Sequence, residues 1–303
     1  MATETRSRFN NYIAPGLFAV AKENFKRYPE TWKEFYSMRT SKRAYEESGY
    51  TSGFGYLVQK PEGTAHQPDA RIQGPVKRWV HDTWSLLCRI SEEAIEDVMY
   101  GIMKTAMKDL GVSGQATRHL LAIRMIMNCT NTTYHTVGDN STAVASATHT
   151  RLGGGTYSNL GSAADPNEVA LEAAIKNFES IVDHRGKKYD QKAEYVWCGP
   201  THEFKMDKLL GSEKEPDSNK NAVNAVPRRR KLKLKIDAEI TDGRWGVGGR
   251  KDEDVGMIWF DRIKPTLSRY GDPDTGDAMF VIRGRWSNEV NDPRQMYFIP
   301  AFS

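Results

Sequence analysis

The chain has little cysteine. Cys88, Cys129 and Cys198 are the three in 303 residues, odd in number and far apart. Neither a disulfide framework nor a Cys-x-x-Cys metal site fits that spacing, and a reducing, cytosolic place of synthesis does. Long apolar runs are missing as well. No stretch of about 18 apolar residues occurs, so no transmembrane helix and no membrane partner are expected. The first residues, MATETRSRFNNYIAPGLF, lack the apolar core and small-residue cleavage site of a secretory signal. Charge of one sign does not dominate. The net charge of +4 permits contact with nucleic acid without arguing for it. Apolar residues at 39% and charged residues at 27% are in globular proportion.

Catalytic motifs are scarce too. HTRLGGGTYSNLG, residues 149–161, is the stretch that invites a phosphate-binding reading, through Gly153, Gly154 and Gly155. A Walker loop needs Lys-Ser/Thr after its glycines, and no lysine follows these. In G-x-G-x-x-G the third glycine would fall at Ser158, and the next helix start, at Asp165, carries an acid that repels phosphate. The glycines therefore read first as a backbone turn; a soluble nucleotide-binding enzyme using Gly153–Gly155 is the distant alternative. His202-Glu203 would need His at position 206 for a zinc helix, and Met206 stands there. No G-x-S-x-G elbow occurs. No catalytic, cofactor or metal residue is expected, and the chain reads as a non-enzyme.

What is present is a chain with unsatisfied surfaces. Residues 1–50 are polar and aromatic, and Phe18, Trp32, Phe35 and Tyr36 need something to pack on. In SGFGYLVQK, Phe54, Tyr56 and Val58 alternate as in a strand. PEGTAHQPDARIQG reads as a long polar loop. PVKRWVHDTWSLLCRI returns as a second extended segment. The two make a long hairpin, which is marginal in water without a partner surface. Ser91 is an N-cap ahead of Glu92 and Glu93, and apolar residues at helical spacing predict a long helix over 91–128, broken at GVSG, 111–114. Asp165-Pro166-Asn167-Glu168 predicts a second helix with Asp165 as its cap and Gly186 as its stop. AEYVWCG reads as a buried strand, THEFKMDKLLG as a short helix ending at Gly211, VGMIWF as a buried strand, and DAMFVIRGRWSNEV as a long late strand. In RRRKLKLKI, Lys231, Lys233 and Lys235 share one face and Leu232, Leu234 and Ile236 the other. The lysine face meets either plain solvent or an acidic surface or phosphates. Strands and helices mix without a βαβ beat, so the fold class is α+β.

Four segments then carry a resemblance: TSKRAYEESGYTSGFGYLVQKPEGTAHQPDARIQGPVKRWVHDTWSLLCRISEEAIEDVMYG, GDNSTAVASATHTRLGGGTYSNLGSAADPNEVALEAAIKNF, YVWCGPTHEFKMDKLLGS and VIRGRWSNEVNDPRQMYFIPAFS. In their order and spacing they resemble tailed-bacteriophage major capsid proteins of the Hong Kong 97-type fold, closest in flavour to the Mu-like major head subunit. The resemblance covers nearly the whole chain through diffuse patterns rather than a sharp signature.

The resemblance implies an N-terminal arm over 1–50, an extended hairpin loop over 51–88, a peripheral domain with its spine helix over 89–152 and 278–290, and an axial domain over 153–277 and 291–303. It implies a protein that assembles with itself through pentamers and hexamers into an icosahedral shell around double-stranded DNA, contacted non-specifically. The shell would form in the host bacterial cytoplasm and end in the virion. A separate scaffolding protein is expected, because only about fifty residues precede the hairpin; a portal protein and a decoration protein are further candidate partners. Lys60, Glu62, Asp69, Arg71, Arg78 and Trp79 are candidate inter-subunit contacts, the charged tip residues serving either register or plain solubility. Gly153, Gly154 and Gly155 would be a hinge between the domains. Family members that cross-link join Lys to Asn; Lys60 lies in the hairpin, but no partner is placed. An encapsulin-like cellular compartment shares the fold and is the related alternative.

Overall fold

The computed structural model describes residues 19–21, 23, 29–91, 93–94, 97, 100–138, 141–212, 226, 231–251, 255–272 and 274–301. The readings placed on Phe18, on Glu92 and on Arg228–Arg230 lie outside them.

Two four-stranded sheets organise the chain. The first is built from β1 (Ser37–Thr40), β4 (Asp82–Ile90), β12 (Met257–Gly271) and β13 (Ala278–Val290), in the order β1-β12-β13-β4. β1 runs parallel to β12; the other pairings are antiparallel. The second is built from β9 (Ala193–Cys198), β10 (Lys233–Ile236), β11 (Trp245–Gly249) and β14 (Met296–Ile299), in the order β10-β9-β11-β14. A two-stranded ribbon, β2 (Tyr45–Thr51) with β3 (Gln73–Val80), stands apart from both. Two further short ribbons pair β5 (Thr136–Val137) with β6 (Thr142–Ala143), and β7 (His149–Thr150) with β8 (Thr156–Tyr157).

The long helix α1 (Tyr100–Met127) is continuous, where a break at 111–114 was expected. Glycine in a helix costs about 1 kcal/mol relative to alanine, and here the cost has a reason. A Cβ on Gly111 would lie 2.5 Å from the carbonyl oxygen of Ala21, so only glycine lets the N-terminal segment cross the helix this closely. Ser91 does cap the turn ahead of α1: its hydroxyl accepts from the Ala94 N–H at 3.3 Å. α2 (Glu168–Glu179) is capped by Asn167 rather than Asp165, the Asn167 side chain accepting from the Ala170 N–H at 2.7 Å. It ends at Ser180, and Gly186 instead takes a positive φ of 83° in the following turn. α3 (Glu203–Gly211) ends where the sequence places its end.

The core joins these layers. Trp32, Phe35 and Tyr36, expected to wait for a partner surface, are at most 1% exposed within the chain's own core. They pack with Ile123 and Ile126 of α1, Trp259 and Trp286 of the first sheet, and Trp197 and Phe298 of the second. The Tyr36 hydroxyl donates to the Ala122 carbonyl at 2.7 Å. A second cluster packs α2 and α3 on the second sheet through Leu171, Phe178, Met206 and Val247.

Candidate functional site

The ribbon is shifted from its expected position. Its strands are 45–51 and 73–80, with Tyr45 opposite Val80 and Thr51 opposite Gln73. Phe54, Tyr56 and Val58, expected on one face of a strand, lie in the segment 52–72, which pairs with no strand. Alternation drives strand formation only where one face has something to cover, and these side chains are 53%, 73% and 66% exposed, with Leu57 fully so. The second half of the expected hairpin, Asp82–Ile90, is β4, an edge strand of the first sheet. His81 alone separates ribbon from sheet. Its ring is buried and sits between the Ser287 hydroxyl at 2.9 Å and the Ser41 hydroxyl at 3.0 Å, which fixes the angle at which the ribbon leaves.

The far end of the ribbon, where the 52–72 segment begins, is clasped by the turn at 183–187. Tyr50 stacks on His184, and the Arg185 guanidinium donates to the Gly53 carbonyl at 3.1 Å, to Asp69 at 2.8 Å and to the Ala70 carbonyl. Asp69 also accepts from the Gly55 N–H at 2.7 Å, and that bond leads the effects holding its carboxyl below the usual range. Behind His184 lies Arg294, 1% exposed, with guanidinium nitrogens 3.0 and 3.2 Å from the two ring nitrogens and an ion pair to Asp292. Burial first, and the Arg294 charge second, push His184 down to about 4.

The glycine run completes this region. Gly154 and Gly155 have φ of 93° and 79°, a conformation that favours glycine. The Arg151 N–H donates to the Gly155 carbonyl at 3.0 Å, closing a tight turn between β7 and β8, and the Gly153 N–H donates to the His184 carbonyl at 2.9 Å. The backbone-turn reading of these residues is the one the geometry matches.

The predicted contact residues divide. Lys60, Glu62 and Arg71 are exposed on the 52–72 segment, Arg71 lying over the Phe54 ring at 5.4 Å. Asp69 is spent on the clasp. Arg78 pairs with Glu47 at 2.7 Å and covers the Tyr45 ring at 4.2 Å, within its own ribbon. Trp79 is a correction: it is 1% exposed and packs on Ile258 and Phe260, so it is a core anchor of the ribbon and unavailable to a neighbour. Composition could not separate it from Trp84, which is 36% exposed on β4 beside the exposed Leu86 and Leu87. Lys231, Lys233 and Lys235 do come together, in one groove with Lys251, which the sequence pattern did not reach.

Among the described residues no helix is long and apolar enough to cross a membrane, and no group of three or more His, Cys, Asp or Glu could hold a metal ion.

No protein-family model matches the chain, and no curated protein sequence does. Solved structures do. The chain is similar to the capsid of the cyanophage P-SCSP1u, with TM-score 0.56 and 11% identity over 89% of this chain and 87% of that one. It is similar to an encapsulin of Synechococcus elongatus, with TM-score 0.54 and 7% identity over 90% and 87%. It is similar to a virus-like particle from Pyrococcus furiosus, with TM-score 0.53 and 9% identity over 94% and 98%. The architecture is α+β, and it is the Hong Kong 97-like fold.

Proposed function

We propose that this chain is a shell-forming structural protein, a bacteriophage major capsid protein that assembles with itself through pentamers and hexamers. The observation that carries this is the exposed segment beyond the ribbon. Phe54, Tyr56, Leu57 and Val58 project from a base that is firmly clasped to its own subunit. A chain gains nothing by holding four large apolar side chains in water; a neighbour that covers them does. Heterologous contacts of this kind, one surface on a different one, close into rings. The fold likeness to capsids supports the same reading.

Finer points rest on the resemblance of the sequence: the Mu-like character, packaged double-stranded DNA, a separate scaffolding protein, a portal, and assembly in the host cytoplasm with the virion as destination. Within this reading the segment 52–72 lies over the next subunit, with Lys60, Glu62 and Arg71 setting register. A second reading, an encapsulin-like compartment, is favoured by the similarity to the Synechococcus encapsulin at a comparable score.

Electron microscopy of the purified chain, with and without a scaffolding protein, tests the proposal. Closed particles or capsomer rings are expected. A strictly monomeric chain under all conditions rejects it. Particles that enclose protein cargo and no DNA select the compartment reading.

A further inference from the structure

A basic groove lies along the β10 edge of the second sheet. Lys231, Lys233, Lys235 and Lys251 line it, against the carboxylates of Glu34 and Glu194, around a volume of about 750 Å³. Two of the four ammonium groups are fixed in place. Lys235 Nζ sits 3.5 Å over the centroid of the Tyr195 ring and donates to the Glu34 carbonyl at 3.0 Å. Lys251 Nζ donates to the Lys33 carbonyl. Lys231 and Lys233 are exposed at the rim.

We propose that this groove binds the phosphodiester backbone of double-stranded DNA, with Lys231 and Lys233 as direct phosphate contacts and Lys235 and Lys251 as a fixed positive floor. Lys233 and Lys235, two residues apart on β10, stand about 7 Å apart on the same side. Along that length one strand of duplex DNA presents about two phosphates, at about 3.4 Å of axis each, and Lys231 extends the row from just before the strand. The lining also argues against a peptide as occupant. Tyr195, its one large apolar side chain, is buried at 4% exposure, and Ala193 and Gly249 complete the uncharged wall. A peptide would find no apolar pocket to fill, whereas a polyphosphate needs none. Burial lowers Lys235 to about 8 and lowers Lys251 as well.

The choice of duplex DNA among polyphosphates rests on the shell reading; the groove itself does not. The test titrates a labelled 20-base-pair duplex with the unassembled full-length chain between about 50 and 200 mM salt. In K231Q/K233Q the slope of log K against log salt is expected to shrink by about 1.8, at about 0.9 per phosphate contact. K42Q/R43Q, which removes two exposed charges near the ribbon, is expected to keep the parent slope, and K231R/K233R to keep it too. Circular dichroism checks that each variant is folded. An unchanged slope in K231Q/K233Q overturns the proposal, as does an equal loss in K42Q/R43Q. Binding of a polyglutamate peptide that depends on Lys231 and Lys233, with duplex binding unaffected, also overturns it in favour of an acidic protein segment. Microscopy of the parent chain under assembly conditions, with and without a scaffolding protein, keeps the two claims apart. Closed particles or capsomer rings together with an unaltered slope in K231Q/K233Q sink the groove and leave the shell; a parent chain that stays monomeric under all those conditions sinks the shell whatever the slope does.

Discussion

The Tyr50 and His184 rings stack with centroids 4.6 Å apart and planes 11° from parallel. The contact joins the end of the ribbon far from the first sheet to the turn that follows α2, and burial together with the Arg294 charge favours the neutral His184 imidazole. The groups facing that imidazole are Arg294, Asp292, Asp183 and Arg151, together with the Tyr50 ring.

The first prediction is a pH dependence. In the folded chain His184 is lowered to about 4 from its ordinary 6.5, so between those values the unfolded chain binds the extra proton. Stability therefore rises with pH across that window. The contribution is fully present above about 6.5 and is lost as pH falls toward about 4. His149, lowered mainly by burial, acts in the same direction. Denaturant midpoints measured from pH 7 to pH 4 should fall in the parent chain and fall less steeply in H184Q. Equal slopes would remove His184 from this role.

The second concerns the buried pair Arg118–Asp261. One guanidinium nitrogen of Arg118 lies 2.7 and 2.9 Å from the two carboxylate oxygens, and both residues are under 10% exposed. Trp259 donates its indole N–H to the same carboxylate at 2.9 Å, and the Arg118 guanidinium lies 5.2–5.4 Å from the Trp32, Trp259 and Trp286 rings. R118A strands a buried carboxylate and should cost about 3–5 kcal/mol in urea unfolding. The apolar double variant R118L/D261L should recover more than half of that loss, because no charge is left unpaired.

The third separates two neighbouring glycines. A Cβ at Gly154 would meet open space, so G154A strains only the positive-φ backbone, at about 1–2 kcal/mol. A Cβ at Gly153 would lie 2.7 Å from the His184 carbonyl oxygen, a backbone atom, so G153A should cost more than G154A in the same measurement. G154V also addresses the proposed hinge between the domains. Folded subunits that no longer assemble would support it, and normal particles would leave the glycines with the turn alone.

The fourth removes the tip. Deleting residues 57–67 leaves the Asp69 clasp and both ribbon strands intact, since every residue removed is exposed. The subunit should unfold within about 0.5 kcal/mol of the parent, as exposed sites do. Particles should form poorly or fall apart on dilution. Particles of normal stability would contradict the assembly role of this segment.

Elements with a buried periodic face could be read directly. β13 lies where a long strand is expected and alternates between core and surface, α3 turns Met206 and Leu209 inward three residues apart, and β9 lies where its apolar run puts it, buried at five of its six positions. The failures share a cause. The strand expected at Phe54–Val58 has the right alternation and no neighbour; the break expected at Gly111 is absent because Ala21 crosses there. In both cases the deciding partner is distant in sequence. The lysine face of β10 was visible as a pattern, but Lys251 and Glu34 reach the same groove from other parts of the chain.

By itself the sequence determined the α+β class, the late long strand, the glycine turn and the presence of a ribbon whose far end carries more apolar surface than an isolated hairpin can bury. These follow from local rules: period, cap, turn and composition. Only the tertiary structure decided which aromatic residues are spent inside and which are left outside. Trp32, Tyr36 and Trp79 vanish into the subunit, whereas Phe54, Tyr56 and Leu57 remain in water. Burial is a property of what the rest of the chain brings alongside, and one residue's local spacing does not contain it.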